Sequence, residues 1–164
     1  ARPTPCQCAG GCGLPLPFLA VGLRSGPPCY LPASGQSVDH YATSLADEVI
    51  DFGEATRTGK LMVLEWHGTS ASEVLAKWEQ MFAKALVSGS PMFRVAGDMA
   101  CERQMFPSEA EMMAYEEAYD RMARRFPLVT LCAYDARQFS GETILRMLKT
   151  HPDMFQGHLG VFLS

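Results

Sequence analysis

Three apolar runs in this sequence end in residues able to do chemistry. Leu61 to Leu64 leads into Glu65, Trp66 and His67. Met92 to Ala96 leads into Gly97, Asp98 and Met99. Leu128 to Leu131 leads into Cys132, Tyr134 and Asp135. A few polar groups set on an apolar wall are what a small-molecule pocket needs. Each acid taken singly is as well explained as a cap on the following helix. Their convergence at three run ends favours a site. Cys132 lies inside its run, where a cysteine is more often a small hydrophobe than a nucleophile. His151 precedes Pro152 at the end of a helical pattern. An imidazole there can meet the helix C-terminus or reach a ligand.

A second group lies near the start, Cys6-x-Cys8-x-x-x-Cys12. Three thiols suit Zn, Cu(I) or an iron–sulfur cluster, and a closed site needs a fourth ligand, Cys29 or a histidine. The spacing matches no paired Cys-x-x-Cys signature. A soft-metal or thiol-redox sensor built on these cysteines, with Zn or Cu(I), is the alternative to a small-molecule pocket. The enzyme motifs are missing. The stretch from Gly53 to Lys60 has one residue too many between its glycines for a phosphate loop. It also places Leu61 where a magnesium-binding Ser or Thr belongs, and it precedes a strand. No Gly-x-Ser-x-Gly elbow occurs. With no nucleophile–base pair and no cofactor motif, the chain reads as non-enzymatic and without a resident cofactor.

The elements that must position these residues follow from periodicity. Residues 1–16 (Pro-, Gly- and Cys-rich) read as an irregular arm, and residues 17–164 as one domain. Helices are expected over Pro17–Leu23, from Ser37 to about Phe52, from Ser70 or Ser72 to Leu86, from Ser108 to Arg125, and from Ser140 to Lys149. Val74, Leu75, Trp78, Met81, Phe82 and Ala85 fall on one helical stripe. Ser108 with Glu111 forms a capping-box pattern. Strands are expected at 28–32, 61–66, 92–96 and 128–134, with a last one at Gly160–Leu163. Leu61–Trp66 and Leu128–Tyr134 are apolar enough for strands covered on both faces. Alternating strands and helices imply an α/β three-layer sandwich with a mostly parallel sheet. In such a sheet ligands bind beyond the carboxyl ends of the strands.

Composition sets the class. The 164 residues are 48% hydrophobic and carry a net charge of −4, with six Cys and ten Met. That is a globular mixture without the basic footprint of a nucleic-acid binder. No run reaches a membrane-spanning length and no leader pattern opens the chain, so a cytoplasmic protein is expected.

The block FPLVTLCAYDARQFSGETILRMLKTHP, from Phe126 to Pro152, resembles the signature of the methanogen/methylotroph sensory (MEDS) domains. It has a strand ending Cys132-x-Tyr134-Asp135, a turn with Arg137, Phe139 and Ser140, then a helix and His151-Pro152. Phe93 to Met99, with Arg94 and Asp98, is similar to a second family strand. Tyr115-Glu116 with Asp120 is similar to a family helix, Phe18–Leu23 to the first helix, and Gly59–Leu64 to a further strand. The resemblance covers residues 17 to about 155. It implies a RecA/KaiC-like core lacking its phosphate loop, and a sensor of small molecules such as hydrocarbon derivatives. It also implies an output through a DNA-binding domain or a histidine kinase. The chain departs from the family where the N-terminal cysteines stand. A divergent domain there leaves a sheet edge that could pair with another copy, so a homodimer is possible. The expected reading is a non-catalytic sensory domain. Its ligand-binding residues are Arg94, Asp98, Glu116, Cys132, Tyr134, Asp135 and His151.

Overall fold

The computed structural model describes residues 15–33, 35–65 and 70–151. Cys6, Cys8, Cys12, Trp66, His67, Pro152 and the expected strand at 160–163 lie outside the described residues. The elements are α1 (Pro15–Ser25), β1 (Cys29–Ala33), α2 (Gly35–Asp47), α3 (Phe52–Arg57), β2 (Leu61–Glu65), α4 (Ala71–Val87), β3 (Phe93–Asp98), α5 (Met99–Glu102), α6 (Glu109–Ala123), β4 (Leu128–Ala133) and α7 (Gly141–Thr150). The four strands form one parallel sheet in the order β2-β1-β3-β4. This is the expected α/β architecture with helices on both faces.

Strand alternation sorts the apolar side chains into two cores. On one face Cys29, Leu31, Ala33, Leu61 and Ala96 pack against Leu19 and Leu23 of α1, Tyr41 and Leu45 of α2, and Ala55 of α3. On the other, Tyr30, Leu64, Phe93 and Val95 meet α4, α5, α6 and α7. Tyr30 lies edge-on to Trp78, Phe82 and Phe93, with ring centroids 5.3 to 6.2 Å apart. The Trp78 indole N–H donates to the Tyr115 hydroxyl at 2.9 Å, so the largest buried side chain keeps its polar atom paired. The predicted α4 stripe is confirmed at Val74, Trp78, Phe82 and Ala85, all buried. Ser70 and Glu73 close the helix with a reciprocal capping box.

Two expectations are corrected. The helix expected from Ser37 to Phe52 breaks in two. Ile50 N–H donates to Leu45 C=O and Val49 N–H to Ala46 C=O, both at 2.9 Å. That bond pair is a Schellman ending with Val49 at the left-handed position, φ 60°. Asp51 then caps α3 through the Glu54 N–H. The second correction concerns β4, expected to be covered on both faces. Among the described residues it is the last strand of the sheet, and it is only partly covered, with Val129 48% exposed; β2, of which the same was expected, lies at the other edge with Met62 and Val63 half-buried and Glu65 exposed.

A β-branched residue at positive φ is strained by roughly 1–2 kcal/mol. Val49 is 94% exposed and has no packing to lose. Val49→Gly is therefore expected to raise stability by about 1 kcal/mol, read as a higher denaturant midpoint. Gly22 of α1 gives the opposite case. A Cβ there would stand 2.5 Å from Cys29 Sγ and 2.6 Å from Arg94 Cδ. Helix propensity alone predicts that Gly22→Ala stabilises by about 1 kcal/mol. Overpacking predicts a loss of about 1–3 kcal/mol. Because Cys29 is fully buried and cannot swing away, the loss is expected, and Cys29→Ala in the same chain should restore most of it.

Candidate functional site

Helix α6 carries a carboxyl group on its core-facing stripe. Met112, Glu116, Tyr119 and Ala123 follow at spacings of four, three and four, and all are buried. Glu116 is 2% exposed. Opposite it, Leu128, Thr130 and Cys132 alternate along β4, and the Tyr119 hydroxyl bonds Thr130 Oγ1 at 3.0 Å. Beyond the strand end, the Tyr134 hydroxyl donates to Glu116 Oε2 at 3.2 Å. His151 caps the C-terminus of α7, its N–H donating to Met147 C=O at 3.1 Å. That cap brings its Nε2 to 3.4 Å from the same Glu116 oxygen, close enough for Coulombic pairing yet outside hydrogen-bond geometry. Cys132 Sγ, a Glu116 oxygen and a His151 nitrogen all lie within 4.8 Å of one another. Three elements thus converge on one spot at the carboxyl end of β4.

Two spaces adjoin this group. A buried pocket of about 20 Å³, room for one water, is lined by Pro32, Gly97, Glu102, Glu116, Thr130 and Cys132 among others. It spans the ends of β1, β3 and β4, next to the point where the strand order reverses. A wider cleft of about 240 Å³ opens along α6 and β4, with Tyr119, Asp120, Ala123, Thr130, Cys132 and His151 in its wall. Cys132 and His151 border the cleft, whereas Glu116 lines only the inner pocket.

Glu102 is the group beside this site that sequence reasoning missed. It is 3% exposed, and its Oε1 has no hydrogen-bond partner among the described residues. The oxygen stands 2.7 Å from where a Cβ on Gly97 would be, so only glycine admits it. Asp98 and Glu102, four apart across a helical turn, were the available signal. Burial, then the Glu116 and Asp98 carboxylates, hold the Glu102 carboxyl well above its ordinary range. Burial, then Glu116 and Glu102, likewise push up the Cys132 thiol. Burial and Glu116 raise the Tyr134 phenol, which suits its role as donor.

The expected site residues divide. Glu116, Cys132, Tyr134 and His151 come together. Asp98 lies at the end of β3 but turns to cap α5, accepting from the Ala100 and Cys101 N–H groups. Asp135 is drawn outward by Arg137 and Gln138, with Arg137 Nη2 at 2.8 Å, and these bonds hold its carboxyl well below the usual range. The capping reading describes Asp98; Asp135 instead closes the turn before α7, accepting from the Arg137 N–H at 3.1 Å, while Ser140 caps that helix. Arg94 stands apart from the group. It sits at the start of β3 under α1, with its guanidinium 4.9 Å from the Phe18 ring centroid. Cys29, the suggested fourth metal ligand, is fully buried in that same layer, and burial raises its thiol to about 11.

The raised Glu102 carboxyl has a signed consequence. The folded state binds this proton more tightly than the unfolded chain. The stability it contributes is fully present below the ordinary value of 4.5 and is lost as pH rises through the folded value. Glu102→Gln keeps the shape and supplies an N–H donor toward the neighbouring carboxylates. The variant is expected to match the wild type in acid and to exceed it at neutral and alkaline pH. Urea melts across that range check it; parallel curves for the two proteins would show that Glu102 is not the group responsible.

None of the described helices is long and apolar enough to cross a membrane. The family model for MEDS, the MEthanogen/methylotroph, DcmR Sensory domain, matches residues 15–152. The transcriptional repressor DcmR of Methylorubrum extorquens (strain DSM 6343 / CIP 106787 / DM4) is 36% identical over 149 residues. That match covers 90% of this chain and 56% of the repressor. The chain therefore spans little more than half the length of this relative. The family match takes in every element from α1 to α7, including Glu116, Cys132 and His151. The chain belongs to the MEDS family of sensory domains.

Proposed function

We propose that the chain is the non-catalytic sensory part of a transcription regulator, and that it binds a small, largely apolar molecule in the cleft between α6 and β4. The observation carrying this reading is the cleft itself. Ala123, Phe126, Leu128 and Val129 give it an apolar wall, Asp120, Arg124 and Thr130 a polar one, and Cys132 and His151 stand where it meets the Glu116 group. Such a cleft suits a molecule with one polar or polarisable end, for example a halocarbon or a short alcohol. The likeness to a repressor supports a regulatory output, carried by a DNA-binding element outside the matched half. A net charge of −4 is not the electrostatic footprint of a nucleic-acid binder, which fits an output carried elsewhere. Ligand binding signals only if it favours one of two conformations.

Thermal shift with halocarbons, short alcohols and small aromatics tests the reading. A bound compound at 100 times its Kd should stabilise by about 2.7 kcal/mol, which moves Tm by roughly 5–10 °C in a domain of this size. Asp120 borders the cleft and makes only a surface pair with Arg124 at 2.9 Å. Asp120→Trp is expected to block the cleft and abolish the shift, while Val21→Trp on the exposed side of α1 leaves it intact. A shift that survives Asp120→Trp would move the ligand elsewhere.

A further inference from the structure

The inner end of the cleft has a donor set that an apolar ligand does not need. Glu116, Cys132 and His151 offer one oxygen, one sulfur and one nitrogen within 4.8 Å of one another. From bond lengths near 2.0–2.1 Å to N and O and 2.3 Å to S, the edges of a tetrahedral zinc site are roughly 3.3–3.6 Å. The His151–Glu116 separation of 3.4 Å already lies in that range. The sulfur, within 4.8 Å of both, reaches it with a closure of at most about 1.3 Å. A second observation points the same way. The His151 side chain is 10% exposed, yet its Nε2 has no hydrogen-bond partner among the described residues and is aimed at the carboxyl group. A buried imidazole nitrogen without a partner costs free energy unless something occupies it.

We propose that Glu116, Cys132 and His151 bind a divalent cation of the zinc type, with a fourth position open toward the cleft. Mixed N, S and O donors select a borderline metal over magnesium or calcium, which prefer all-oxygen sets. Tyr134, donating to Glu116 Oε2 at 3.2 Å, orients the carboxylate in the manner of an outer-shell partner. The donors come from α6, β4 and the end of α7, so the metal ties together three elements distant in sequence. The site does not involve Cys6, Cys8 or Cys12, and it stands whether or not an organic ligand enters the cleft.

Cobalt(II) titration of the 164-residue chain, under a non-coordinating reductant, tests it. Thiolate ligation gives a near-ultraviolet charge-transfer band, and tetrahedral geometry gives intense visible bands. In a chain carrying Cys6→Ser, Cys8→Ser and Cys12→Ser, one equivalent of cobalt should still bind with both features, and zinc should displace it. Adding Cys132→Ser should remove the charge-transfer band. His151→Ala should keep the band but weaken affinity by at least about tenfold to a hundredfold, and Tyr134→Phe by less. Loss of the band in the triple-serine chain would assign the metal to the N-terminal cysteines and overturn the site. Persistence of the band after Cys132→Ser, or no stoichiometric binding at all, would overturn it too. Should Cys132→Ser fail to fold by circular dichroism, His151→Ala decides alone: a folded variant with unchanged affinity refutes the proposal.

Discussion

A carboxyl group at a core position is the constraint around which this domain is arranged. Glu116 takes the place on α6 where the periodicity calls for an apolar residue, between Met112 and Tyr119. Desolvating such a group without compensation costs several kcal/mol, a large part of the 5–15 kcal/mol that typically holds a domain together. The neighbourhood shows how that cost is met. Tyr134 reaches back past the end of β4 to donate to it, and His151 is drawn in from the end of α7. Gly97 gives up its side chain so that Glu102 fits, and the Glu102 carboxyl favours its neutral form. Tyr119 and Thr130 satisfy each other, which leaves Glu116 to its own partners. Removing Tyr134 would take from Glu116 a hydrogen bond that its burial makes costly to lose.

The sheet makes the convergence possible. Parallel strands bring all their carboxyl ends to one side, and the order β2-β1-β3-β4 places β1 and β3 at the centre. The chain passes from β1 outward to β2, then crosses to β3 on the other side. A crevice forms where those connections diverge. Gly97, Asp98, Cys132 and Ala133 stand in register there, as Gly97↔Cys132 and Asp98↔Ala133. The two faces then divide the work. The face under α1, α2 and α3 is an apolar layer in which Arg94 stacks on Phe18. The face under α4 to α7 holds Glu102, Glu116, Tyr115, Tyr119, Tyr134 and the Cys132 thiol.

Much of this was legible in the residues. The strand–helix alternation gave the parallel sheet, and Ser70, Ser108 and Ser140 each cap the helix they precede. Glu116, Cys132, Tyr134 and His151 were recognisable because they lie in or near blocks shaped like the MEDS signature. What failed did so for identifiable reasons. Val49 hides a helix end, because a C-cap without Gly or Asn carries no local sign of its left-handed turn. The apolar run of β4 resembles a central strand, and nothing local says that it lies at the edge. Asp98 and Asp135 hold the same kind of sequence position as the residues that converge, but each has closer N–H groups, to which its oxygens are bonded. Glu102 carried only the signal of its spacing from Asp98, because Glu116, the carboxylate that acts on it most, becomes a neighbour only through the fold.

Helix α7 adds little fully buried apolar surface, with Ile144 and Leu148 only partly covered against the core, and it is coupled to the polar group through His151. Only Thr143 and Met147 of its ten residues are buried. Its other ties to α6 are polar. Ser140 Oγ donates to Glu109 at 2.9 Å, and Arg146 pairs with Glu117 at 2.6 Å in a partly exposed bridge. Exposed pairs of that kind are worth little, typically below about 1 kcal/mol. By contrast α4 buries Val74, Trp78, Phe82 and Ala85 against the aromatic centre. The elements with few buried apolar contacts are the ones that open at low free-energy cost. His151 sits at the end of this loosely held helix and reaches the most deeply buried carboxyl of the domain. A change in what occupies the space beside Glu116 is therefore borne first by His151 and α7, while the sheet and α4 stay in place. The domain thus joins a well-packed scaffold of sheet and α4 to one helix held by fewer buried contacts.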